Sequence, residues 1–261
     1  MGRENPEPLT RHAPPVESRL GWLGIAFAAL YLGSVTIKTP VLRPGLTLGD
    51  FIDVATPFIL VFLYTLVGRA LFVGSRGARP DSSGAPDLGP RMLLILGGFA
   101  LVLGHGMHVA ANSIHDAITR ARLPDPLGLA DWWDERVSHY LIDSSKVAIC
   151  VGLTLLERRV HAPSEPASKA KTRGGRITIG AAAYGFIFFA AGVEGQTVPL
   201  LLPFAVAYLA WALTPARPIR PVRRFFGVGA AVSILLFAVW GIWHRGFPEF
   251  SAVGMIPRNG P

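Results

Sequence analysis

Seven apolar runs of membrane-crossing length constrain this chain more than anything else in it. They lie roughly at 20–38, 51–74, 91–115, 136–157, 176–194, 197–213 and 225–244, each near the about 20 residues that carry a helix through a hydrocarbon core. A backbone in lipid must satisfy its own hydrogen bonds, so such runs become helices rather than loops or open sheets. Charged residues are 16% of the chain and mean hydropathy is +0.41, which excludes an ordinary soluble domain. The expectation is an all-α fold, a polytopic integral membrane bundle of seven transmembrane helices in contact with a lipid bilayer.

The remainder divides into a flexible polar tail over 1–19, the transmembrane domain over 20–245 and a short C-terminal tail over 246–261. Arg76–Pro90 and His161–Gly175, rich in Pro, Gly, Ser and charge, read as flexible surface connections. The first apolar run follows a polar leader and precedes no small-residue cleavage site, so it reads as a retained helix. Short cytoplasmic loops accumulate Lys and Arg. The N-terminal tail and the 69–91, 158–176 and 217–224 segments hold 3, 4, 6 and 4 of them, against 7 on the opposite side. This predicts a cytoplasmic N-terminus and an outer C-terminus, in a plasma membrane of bacterial type. Such loops meet anionic lipid, so a pI of about 10.2 implies no nucleic-acid partner. A single cysteine, Cys150, excludes an intrachain disulfide and a two-cysteine redox mechanism.

Against this apolar background, the third run carries His105, His108, Asn112 and His115, and the fourth with its lead-in carries Glu135, His139, Asp143 and Lys146. At about 100° per residue each set falls on one helical face, within about 80°. Ionisable groups are costly in a bilayer and mark sites or pathways. Antiparallel neighbours then pair by depth: His115 with Glu135, Asn112 with His139, His108 with Asp143, and His105 with Lys146. Asp50, Asp53, Glu194, Gln196 and His244 collect at the same, predicted outer, side. Lys146 needs a carboxylate, from Asp143 or from another helix.

Histidine and carboxylate at i, i+3 or i, i+4 present ligands from one helical face, as a single ion requires. The expected ligands are His105, His108 and His139 for a divalent Zn, Fe or Cu ion. Asp143 or Glu135 would be a further ligand or general base, and Asn112 would orient a water or substrate carbonyl. His115, Lys146, Asp53 and Glu194 complete the expected polar site. An open metal position beside a carboxylate can activate water against a lipid ester or amide, which makes a metal-dependent hydrolase acting on a lipid or small molecule the first functional reading. Trp132 and Trp133, and Trp240 and Trp243, sit where interfacial indoles anchor helices, and Asp131-Trp-Trp-Asp-Glu can roof the site as an amphipathic lip.

Seven helices with intramembrane histidine and an Asp-Glu pair resemble the superfamily of alkaline ceramidases and adiponectin-receptor-like proteins, through His105 or His108 and Asp134-Glu135. The resemblance implies a zinc-dependent membrane hydrolase. Those families carry a His-x3-His pair on the last helix where this chain has His244 alone, so their zinc triad does not carry over.

Two other readings stand beside the hydrolase. A proton-coupled transporter or channel would use the ladder from His115 to Lys146 as a relay, but that stripe is expected to stop near mid-membrane. Beyond it lie only scattered Tyr64, Thr154, Tyr184, Tyr208 and Ser233. A haem b protein would set His105 or His108 against His139, with carboxylates and Lys146 an unusual lining for the haem.

Overall fold

The computed structural model describes residues 16–41, 47–75, 88–121, 130, 132–159, 167–215 and 220–255, among which there is no β-strand. The helices are α1 (Val16–Thr36), α2 (Leu48–Ser75), α3 (Leu88–Ala121), a π-helical turn (Trp132–Ser138) continuing into α4 (His139–Arg159), α5 (Ala167–Glu194), α6 (Val198–Ala212) and α7 (Pro221–His244). Six of the helical stretches are long and apolar enough to cross a membrane. The exception is α6, whose 15 residues reach about 22 Å at 1.5 Å per residue.

The surface has the apolar character of a membrane protein. Phe99 is 71% and Ile242 80% exposed, alongside exposed Phe58, Phe62 and Leu235; in water such a patch would drive association, whereas lipid solvates it. The interior is aromatic, with Phe27 stacked on Tyr184 at 4.6 Å between centroids and buried Phe225 and Phe226 edge-on to the same Tyr184 ring. Between α1 and α5 the backbones touch. A Cβ on Gly24 would lie 1.9 Å from the Gly180 carbonyl oxygen, so only glycine allows this approach, the usual device where lipid offers no hydrophobic drive between helices.

Several segments differ from their expected character. The 161–175 connection is helical from Ala167, because α5 extends beyond its apolar part. The described part of the C-terminal tail, residues 246–255, docks on the bundle: Glu194 Oε2 accepts the Phe250 amide at 2.8 Å, Gln196 Nε2 donates to the Phe247 carbonyl at 3.1 Å, and Trp240 Nε1 donates to the Pro248 carbonyl at 3.0 Å. Glu194 therefore fastens this segment rather than serving the polar site, and Trp240 is buried where an interfacial anchor was expected. Asp50 forms a reciprocal cap at the start of α2, its Oδ2 accepting the Thr47 amide at 2.7 Å while Thr47 Oγ1 accepts the Asp50 amide at 3.3 Å; this satisfies two otherwise orphaned donors. The 1–15, 76–87 and 161–166 parts of the expected flexible segments lie outside the described residues.

Candidate metal centre

The centre forms where α3 and α4 pack against each other. A Cβ on Gly104 would stand 2.7 Å from Ile142 Cγ1 and 3.2 Å from the Ser138 carbonyl oxygen. This absence of a side chain lets the histidine face of α3 approach the start of α4.

His108 is the hub. Its Nδ1 donates to Asp134 Oδ1 at 2.5 Å, and its Nε2 accepts from the Asn112 amide nitrogen at 3.2 Å. As a metal ligand this ring would have to be in its neutral form. His139 meets His108 edge-on, with centroids 4.9 Å apart and planes at 68°. His108, Asp134 and His139 each present one ligand atom, and these atoms lie within 4.8 Å of one another. On the open side, Asp53 Oδ2 is 3.9 Å from His108 Nε2. The end of α5 closes the other side: a Cβ on Gly195 would lie 2.6 Å from His139 Nδ1.

Asp134 takes the place that the sequence reading gave to His105. The cause is the π turn, whose i→i+5 bonding aligns residues five apart and so brings Asp134 over His139. An α-helical reading aligns residues four apart and selects Glu135. The buried Ser138 hydroxyl, donating to the Asp134 carbonyl, supports this turn from within. The side chains of Glu135 and His115 lie outside the described residues.

The depth pairing is corrected in two of its four rungs. His108 faces Asp134, not Asp143. Asn112 is exposed and bonds to His108. Buried His105 donates from Nδ1 to the Leu101 carbonyl at 3.1 Å, and its Nε2 accepts from the Tyr31 hydroxyl at 3.5 Å; the Lys146 ammonium meets the same Tyr31 ring, so His105 and Lys146 share a level as expected. His105 stands outside the three-residue group. The fourth rung, His115 with Glu135, lies beyond the described side chains.

Asp143 likewise lies outside the three-residue group. Lys146 Nζ donates to its Oδ1 at 2.6 Å, and the Thr197 hydroxyl donates to its Oδ2. Both residues of the pair are 1% exposed. The ammonium also lies 4.8 Å from the centre of the Tyr31 ring, a favourable cation–π position for a desolvated charge. The expectation that Lys146 pairs with a carboxylate holds.

The residues present fit a divalent ion. Two imidazoles and one carboxylate form a donor set that suits zinc and non-haem iron, with positions left for water or substrate. Ligand bonds of about 2.0–2.2 Å require the three donors to draw in by roughly an ångström and the ion to replace the proton between His108 and Asp134. No protein family, curated protein or solved structure matches the chain.

Proposed function

We propose that this chain is an integral membrane protein of seven spans, with its N-terminus in the cytoplasm, whose outward-opening centre of His108, Asp134 and His139 binds a divalent metal and hydrolyses an ester or amide bond in a lipid-like substrate. The convergence of these three side chains within 4.8 Å, from α3, the π turn and α4, carries the reading. In this account α6 is the seventh span, and the 17 Lys and Arg of the basic segments, counted from 3, 4, 6 and 4, lie inside.

When bound, the ion would supply Lewis-acid polarisation and an activated water. The protein's own groups do the rest. His108 and His139 would hold the ion through ring nitrogens, and Asp134 would neutralise part of its charge. Asp53, partly exposed and 3.9 Å from His108 Nε2, lies at the nitrogen that does not face Asp134 and would hold the ring's orientation from there. The exposed Asn112 amide can leave His108 and hold a substrate carbonyl. Exposed Trp132 and Trp133, edge to face at 5.0 Å, form an apolar lip of the kind that lies at headgroup depth and can seat an acyl chain.

The test is turnover by the purified full chain, reconstituted in liposomes, on a panel of fluorogenic lipid esters and amides. The account predicts hydrolysis that a chelator abolishes, that added Zn2+ restores, and that His108→Ala and His139→Ala lack. Stoichiometric metal without turnover on any lipid of the panel would reject the hydrolase and leave the metal centre standing.

A further inference from the structure

Polar residues run along the whole of α4, not only its first half. His139, Asp143, Lys146, Cys150, Thr154 and Glu157 recur every three or four positions, and at about 100° per residue all six share one face within about 80°. From Asp143 to Glu157 every one of them is buried. The expectation that the stripe stops at mid-membrane fails here, because the inner hydroxyls that look scattered in sequence converge on this face from other helices.

Their contacts fill the seam. Below the Asp143–Lys146 pair, Tyr64 and Tyr184 share a hydrogen bond between hydroxyls at 3.2 Å. Thr154 and Tyr208 do the same at 2.9 Å, with the Cys150 thiol within hydrogen-bonding reach of both. Cys150, Tyr184, Tyr208 and Ser233 border a cavity with about 20 Å³ for water, enough for one molecule. At the far end Glu157 accepts the Val222 and Arg223 amides at 2.6 and 3.0 Å. It closes the seam with a buried carboxylate just as His139 and Asp134 open it.

We propose that this face of α4 is a proton path running from the Asp143–Lys146 pair, beneath the His108–Asp134–His139 centre, to Glu157. The 18 steps from His139 to Glu157 span about 27 Å, close to the full thickness of a hydrocarbon core. Consecutive members stand about 4.5–6 Å apart along the axis, and the hydroxyls of Tyr64, Tyr184 and Tyr208 with the water-sized cavity beside Cys150 supply the steps between them. At the ion pair Lys146 gives a proton to Asp143 across their 2.6 Å bond and is reprotonated from the hydroxyl side; each hydroxyl and the thiol both donates and accepts, so one proton leaves the path for each that enters. Interhelical adhesion accounts for the Tyr–Tyr and Thr–Tyr pairs; it does not account for a buried ion pair and a buried terminal carboxylate on the same continuous line. The path goes beyond the hydrolase reading and requires no bound metal.

The experiment is proton uptake by liposomes that hold the full chain and a trapped pH-sensitive dye, driven by a potassium diffusion potential. Wild type is expected to exceed protein-free liposomes by about tenfold or more. Tyr64→Phe and Tyr208→Phe, which remove one hydroxyl each and keep the ring, should lower that uptake by about tenfold or more. Thr65→Val, at an exposed hydroxyl bonded only to its own helix at 2.7 Å, should leave it unchanged. Wild-type uptake equal to that of protein-free liposomes overturns the path, and so do phenylalanine variants that conduct like wild type. Metal content measured on the same preparations separates the two proposals: a loaded protein without proton uptake rejects the path alone, and a conducting protein without metal rejects the centre alone.

Discussion

Replacing Lys146 by Met tests what the buried charges contribute to the fold. The substitution keeps most of the side chain's volume and removes the ammonium 2.6 Å from Asp143 Oδ1. Asp143 is 1% exposed, so water cannot reach it, and Thr197 satisfies only the other oxygen. Stranding one member of such a pair costs about 3–5 kcal/mol; the surviving Thr197 bond places the expected loss near the lower end, about 3 kcal/mol. Asp143→Leu should cost a similar amount by stranding Lys146. The double variant Lys146→Met/Asp143→Leu removes both charges and should lie within about 2 kcal/mol of wild type, because apolar replacement of a buried pair is often neutral. The assay is equilibrium unfolding in mixed micelles, followed by the fluorescence of the six tryptophans. Singles within about 1 kcal/mol of wild type, or losses that simply add in the double variant, would refute the reasoning.

Three further outcomes follow from the same geometry. Gly24→Ala sets a methyl group 1.9 Å from the Gly180 carbonyl oxygen and should destabilise the bundle by about 1–3 kcal/mol or more in the same unfolding assay, whereas Gly89→Ala, with nothing within 4 Å of the added carbon, should not. Asp134→Asn retains the shape but loses the charge, and should weaken metal binding by about 10–100-fold, measured by competition with a chromophoric chelator. In a Cys150→Ala background, a cysteine replacing the exposed Arg136 should react with a membrane-impermeant maleimide added outside intact cells; protection there would reverse the proposed orientation and turn the centre toward the cytoplasm.

The helices were legible because lipid imposes one requirement, internal satisfaction of the backbone, and hydropathy records it directly. So was the Lys146–Asp143 pair, since residues three apart on a helix are neighbours whatever surrounds them. Asp134 was legible only through the family resemblance and not from spacing, because the π turn shifts the register by one residue and no local composition announces it. Cross-helix partners were not legible either. That Thr197 completes Asp143 and that Tyr31 meets His105 depends on which helices adjoin, and α1 packs beside α5 through a glycine contact that hydropathy does not reveal. The seam on α4 was hidden for the same reason: its own residues can be read at their spacing, but Tyr64, Tyr184 and Tyr208 join it only through the packing of α2, α5 and α6.

The centre itself is tested most directly by the metal content of the purified full chain, measured by mass spectrometry beside His139→Ala. The account predicts close to one Zn, Fe or Cu ion per wild-type chain and its loss from the variant. A correctly folded wild-type protein that holds no stoichiometric metal, even after incubation with these ions and removal of the excess, would contradict it.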